Sequence, residues 1–148
     1  MIELREVRES DLDILYEFQG DPVASEMAAF PSRDRETYYA HTLRNLANPT
    51  GVLRTITVDG DVAGDIGSWL AGEQRLVGYW IGRPFWRQGV ATAALLAFVS
   101  ELAERPLYAW VATSNLASTR VLEKAGFVPT GDPIVGEDGV EERLFILR

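Results

Sequence analysis

The sequence predicts a three-layer α+β domain, a mixed sheet with helices on both faces. Three observations carry this. Hydrophobic periodicity gives the element order β-α-α-β-β-β-α-β-α-β-β. A length of 148 residues suits one domain, 1–148, with a core of its own. Hydrophobic residues make up 47% of the chain, a globular proportion, and no repeat, linker or low-complexity stretch interrupts it.

Residues 2–7 alternate and read as a strand. Ser10 with Asp13 resembles a capping box, and Leu12, Leu15, Tyr16 and Phe18 then form a helix stripe. The stretch 20–34, with Gly20, Pro22 and Pro31, reads as irregular. A second helix spans about 35–47, with Tyr39, Leu43 and Leu46 on one face, and Asn48-Pro49-Thr50-Gly51 ends it. Strands follow at 52–58 and 62–70, joined by the hairpin turn Asp59-Gly60. Another strand covers 76–82, where Gly78 and Gly82 mark a bulge or a close backbone approach, and Pro84 ends it. The helix over about 88–104 turns Val90, Ala94, Leu95, Phe98 and Leu102 inward. Pro106 opens a strand at 107–113. A helix over 115–125 closes on Gly126, and Phe127-Val128 begins the next strand. Residues 129–142 are turn-rich and acidic, and Leu144-Phe145-Ile146-Leu147 forms the last strand.

Net charge is −8, which argues against general nucleic-acid binding. The chain has no cysteine, so disulfides, zinc–thiolate sites and a cysteine nucleophile are excluded, and no metal is expected. The first residues lack the apolar run of a signal peptide, and no segment is long enough to span a bilayer. No membrane partner and a cytoplasmic location are therefore expected.

Two segments carry the chemistry. Residues 83–93 read R-P-F-W-R-Q-G-V-A-T-A and put Gly89 and Ala91 at a strand-to-helix junction. Small residues there let backbone N–H groups approach a ligand, and a helix start favours an anion. Residues 115–127 read N-L-A-S-T-R-V-L-E-K-A-G-F, a short helix opening with Asn115 and Ser118. The pair points to a phosphate-bearing cofactor held beside reactive groups. Arg83, Arg87 and Arg120 lie next to the two segments and offset the unfavourable net charge.

These segments resemble those of the GNAT acyltransferases, which use acetyl-CoA, and most closely the RimJ/RimL-like subgroup. There W-x-x-G-x-A-T-x-A and N-x-x-S-x-x-x-L-x-K-x-G-F occur together; here the first begins at Trp86 and the second at Asn115. The general family pattern has Gln or Arg at the Trp86 position, so one side-chain contact is not carried over. The resemblance implies a mostly antiparallel sheet in which strand 76–82 splays from strand 107–113. Backbone groups of Tyr79, Trp80 and Ile81 would then meet the pantetheine arm and the acyl carbonyl. N–H groups of Arg87, Gln88, Gly89, Val90, Ala91 and Thr92 would hold the pyrophosphate, with Arg83 nearby. In related enzymes a Ser or Tyr protonates the leaving thiolate; that role falls on Ser118, or failing it on Tyr79.

Asn115 and Ser118 share a helical face with Leu122 and Ala125, and Asn115 also suits a helix cap. The general base is open between Asp65, Glu73 and the acidic stretch 137–142. His41 falls outside the apolar stripe of its helix and reads as a surface residue. Asp21, Glu26, Asp132, Glu137, Asp138, Glu141 and Glu142 lie in the regions that flank the acceptor in such folds, and would suit a cationic amine. The expected reaction is direct acetyl transfer to a primary amine, a small molecule or a peptide N-terminus, by a monomer or homodimer. The alternative is a non-catalytic acyl-CoA-binding domain, which needs Gly89 and Ala91 but no acid.

Overall fold

The computed structural model describes all residues, Met1–Arg148. Seven strands, β1 (Ile2–Glu6), β2 (Val52–Val58), β3 (Asp61–Ala71), β4 (Gln74–Ile81), β5 (Leu107–Ala112), β6 (Val128–Val135) and β7 (Glu141–Leu147), form one sheet. Their order is β1-β2-β3-β4-β5-β7-β6. Every neighbouring pair is antiparallel except β4 and β5. Those two pair only at Arg75–Leu107 and Leu76–Tyr108, and from Val77 onward they part, as expected of the splayed pair.

The helices are α1 (Leu12–Gln19), α2 (Pro22–Ala28), α3 (Arg35–Ala47), α4 (Val90–Glu101) and α5 (Leu116–Lys124). Alternation along the strands separates two faces. Ile56, Ile66, Val77 and Ile81 point to the face covered by α4, where Val90, Ala94, Leu95 and Phe98 close the main core. The opposite face receives α1 and α3, and there Thr55 meets Asp11.

Three expectations are corrected. The first helix does not start on a Ser10 capping box. Its entry is held by Asp11, whose carboxylate accepts the Arg8 backbone N–H at 2.8 Å. The stretch 20–34 contains a helix, α2, capped by the Asp21 side chain on the Val23 N–H and carrying Pro22 in its first turn. Aspartate before proline at a helix start is the signal that the two nearby prolines masked. On α3 the inward residues are Tyr38 and Thr42, while Leu43 and Leu46 are exposed. The face that turns inward there is polar because it borders a cleft and not the core.

Asp11 is a structural charge. It is 2% exposed and takes a two-pronged contact from Arg5 at 2.7 and 2.8 Å, with Thr55 Oγ1 donating at 2.8 Å. Burial pushes its pKa up, but the bonds from Arg5, the Arg8 N–H and Thr55 outweigh this and hold it at about 2. A carboxyl depressed in the folded state stabilises above its unfolded pKa and loses that contribution as pH falls through its folded value. Asp11→Asn is expected to cost about 3 kcal/mol at pH 7 by stranding Arg5, a fall of roughly 10 °C in melting temperature. Melting curves check this: the gap between wild type and variant narrows between about pH 4 and pH 2.

Candidate active site

The parted strands expose main-chain groups. Gly82 N–H bonds the Ala63 carbonyl at 2.8 Å, on the β3 side. Alternation therefore engages the Trp80 backbone with β3 and turns the main-chain groups of Tyr79 and Ile81 into the gap. The Ile81 carbonyl accepts the Trp86 indole N–H at 2.8 Å. Trp86 thus anchors the loop that leads into α4. Opposite, β3 approaches so closely that a Cβ on Gly64 would sit 2.1 Å from the Trp80 carbonyl oxygen, so only glycine fits.

The α4 start is left open by its backbone. Arg87 and Gly89 both have left-handed backbones, with φ 61 and 74. A Cβ on Gly89 would meet no protein atom within 4 Å. The first intrahelical bond runs from the Ala93 N–H to the Gly89 carbonyl, which leaves the N–H groups of residues 90–92 without helical acceptors. A cleft of about 480 Å³ opens there, floored by Tyr79 and Ile81 and rimmed by the cations Arg87, Arg120 and Lys124. Three cations and an open helix start fit the diphosphate and 3′-phosphate of a coenzyme A.

A second cleft, about 450 Å³, lies on the α1–α3 face. The two share Ala28, Tyr79, Trp80, Asn115 and Ser118, so they meet at the gap between β4 and β5. At that junction Tyr79 Oη and Ser118 Oγ lie 2.6 Å apart. Burial pushes the Tyr79 phenol up to about 12, against the Ser118 bond that lowers it, so it keeps its proton at neutral pH. Asn115 caps α5 by accepting the Ser118 N–H at 3.2 Å, and borders both clefts as well.

Asp65 faces the second cleft from β3 and has no ion-pair partner among the salt bridges of the protein. Burial pushes its carboxyl up to about 7, only partly offset by a backbone bond. Of the three base candidates in the sequence, Asp65 borders the cleft, whereas Glu73 sits in the β3–β4 turn and does not. Within 137–142 only Glu142 borders it, with a pKa raised by burial and by the Asp138 charge.

Several expected residues are placed elsewhere. Arg83 pairs with Asp21 at 2.9 Å, tying the loop before α4 to the start of α2. Gln88 turns back and donates to the Pro84 carbonyl at 3.1 Å. Neither borders the first cleft, whereas Val90, Ala91 and Thr92 do. The acidic residues do not converge: Asp21, Glu26, Asp132, Glu137, Asp138 and Glu141 lie outside the second cleft. His41 is not a surface residue but half-buried in that cleft, beside Arg33 and the aromatic walls Trp69 and Trp80. None of these had a sequence signal, because a helix face that borders a cleft lacks the apolar stripe of a core face.

Residues 2–128 match the family model of the acetyltransferase (GNAT) domain. The chain belongs to the GNAT acetyltransferases. As a member it is an N-acetyltransferase. No curated protein matches it at the sequence level. Among solved structures it is similar to RimL, a ribosomal L7/L12 alpha-N-protein acetyltransferase in complex with coenzyme A, at 19% identity and TM-score 0.84 over 99% of this chain and 93% of that one. It is similar to the spermidine N-acetyltransferase from Vibrio cholerae in complex with CoA and spermine, at 12% identity and TM-score 0.84 over 99% and 94%. A third is AAC(6')-Ib with ribostamycin and coenzyme A, at 21% identity and TM-score 0.80 over 97% and 92%. No helix of this GNAT protein is long and apolar enough to cross a membrane.

Proposed function

We propose that residues 1–148 form one RimJ/RimL-like acetyltransferase domain that moves acetyl from acetyl-CoA directly to a primary amine. The observation that carries this is the meeting of two clefts across the β4–β5 gap, with a protonated phenol at the junction and an unpaired carboxyl beyond it. In the first cleft the N–H groups from Arg87 to Thr92 and the cations Arg87, Arg120 and Lys124 hold phosphates. Bound there, acetyl-CoA supplies an activated thioester acetyl group. The Tyr79 and Ile81 main chain lies along the arm, and an N–H in the gap holds the negative charge that develops on the carbonyl oxygen.

In the second cleft Asp65 takes a proton from the acceptor ammonium and frees its lone pair for attack. As the C–N bond forms and the C–S bond breaks, Tyr79 Oη, bonded to Ser118 Oγ, delivers a proton to the departing sulfur, and the second proton shed by the nitrogen restores the phenol. The products are an N-acetyl amine and a free thiol. A domain that only bound acyl-CoA would have no use for Asp65 or for a protonated Tyr79.

Thermal melting with acetyl-CoA tests the first cleft. At about 100 times its Kd a ligand of the native state adds roughly 2.7 kcal/mol, a rise of about 5–10 °C. Gly89→Val is expected to lower the ligand-free melting temperature by only a few degrees, the cost of a left-handed β-branched residue, and to abolish the ligand shift. A normal shift in that variant places the phosphates elsewhere.

A further inference from the structure

We propose that the acceptor is an amino-acid-class compound, a primary amine with a carboxylate on the same small molecule, and that Arg33 selects it. This rests on the reading of the second cleft as the acceptor site. Arg33 lies in the loop between α2 and α3 and borders that cleft. It makes no salt bridge, and its guanidinium lies 5.0 Å from the centre of the Phe30 ring. Phe30 in turn meets Trp80 edge-on at 6.0 Å. A single aromatic ring thus separates the cation from the strand that borders the junction. Such a guanidinium keeps its planar donor fork available for a carboxylate.

The charges of the cleft are separated. The Tyr38 hydroxyl feels both, the Asp65 carboxyl raising its pKa and the Arg33 guanidinium lowering it, while Arg33 is not among the influences on Asp65 itself. His41, on the same helix as Tyr38, is held toward its neutral form by burial and by Arg33 and Arg44. Asn45 Nδ2 lies 3.2 Å from His41 Nε2, a contact in which the neutral ring accepts. Glu142 borders the cleft from β7, across the β4–β5 gap. The acidic groups, Asp65 and Glu142, come from the sheet, and the only cation comes from the helical side. A polyamine would set a second ammonium against Arg33. A molecule with an ammonium for Asp65 and a carboxylate for Arg33 satisfies both ends. Phe30, Tyr38, Trp69 and Trp80 suit an apolar body between them, and about 450 Å³ suits a small molecule.

Thiol release from acetyl-CoA with matched acceptors tests this. The pairs are leucine against 3-methylbutylamine and 6-aminohexanoate against hexylamine, with spermidine alongside. Wild type is expected to favour the carboxylate member of at least one pair by about ten-fold in kcat/KM, and Arg33→Gln to reduce that ratio to below about three, with Arg33→Lys between them. The melting temperature of each variant, with and without acetyl-CoA, confirms that the fold and the first cleft survive. A wild-type ratio at or below one, a ratio unchanged by Arg33→Gln, or spermidine as the best acceptor overturns the proposal. If no acceptor reacts while acetyl-CoA still raises the melting temperature, the amino-acid proposal falls and the coenzyme A reading of the first cleft stands. If acetyl-CoA does not bind at all, that reading falls with it.

Discussion

Asp65→Asn is expected to lower kcat by about 10²–10⁴-fold, the usual contribution of a positioned base, while acetyl-CoA binds normally. The substitution keeps size and shape and removes only the capacity to take a proton. The pH dependence follows from the raised carboxyl. Asp65 acts as a base when ionised, so wild-type kcat rises with pH through about 7 and then levels, and the variant lacks this limb. Steady-state rates across pH 5–9 on both proteins check this. Unaltered kcat in Asp65→Asn would move the role to Glu142 or to water.

Stability supplies an independent readout with the opposite sign. A carboxyl raised in the folded state binds its proton more tightly when folded than when unfolded. Asp65 therefore costs stability progressively as pH rises from about 4 to 7, because ionisation in the cleft is less favourable than in water. Asp65→Asn removes that cost and is expected to stabilise the protein at pH 8, on the order of 2 kcal/mol or 4–8 °C. It should be near neutral at pH 4. A variant that is more stable and less active is the behaviour of a functional group kept against the interest of the fold. Asp11 behaves in the reverse way, because Arg5, Thr55 and the Arg8 N–H surround it with donors.

The sheet and the longer helices were legible because their patterns are local. The Asp59-Gly60 hairpin, the alternation of β1 and the apolar face of α4 can each be read within a dozen residues. So was the start of α4, where Gly89 and Ala91 combine sequence position with a steric demand. The acceptor side was not. Asp65, Tyr38, His41 and Arg33 come from a strand, a helix and a loop that meet only in three dimensions. A carboxylate's partners cannot be read from its neighbours in the chain: Asp65 is stranded and Asp11 is bonded, yet both are single aspartates beside apolar residues. The acidic residues that flank the acceptor regions in sequence point elsewhere: Glu26, Asp132, Glu137, Asp138 and Glu141 are exposed outside the cleft, and Asp21 pairs with Arg83.

Tyr79→Phe is expected to lower kcat by about 10²–10³-fold with little change in acetyl-CoA affinity. The ring packs against the core and is retained, so only Oη is lost. Oη is well placed to protonate the leaving group. It sits where the clefts join, 2.6 Å from Ser118 Oγ, and burial keeps it protonated. Ser118 is placed behind it, as the partner that orients the phenol. Ser118→Ala is therefore expected to cost less, roughly ten-fold in kcat, together with about 1 kcal/mol of stability from the unpaired Oη. The order of the two effects decides which hydroxyl faces the departing sulfur. If Ser118→Ala falls further than Tyr79→Phe, Ser118 is the donor and Tyr79 its support. If both keep kcat within about three-fold of wild type while Asp65→Asn does not, the thiolate leaves unprotonated, and water takes the place of either hydroxyl. A defect in Tyr79→Phe that appeared in acetyl-CoA affinity instead of kcat would mean that Oη binds the arm in the ground state and contributes nothing extra in the transition state.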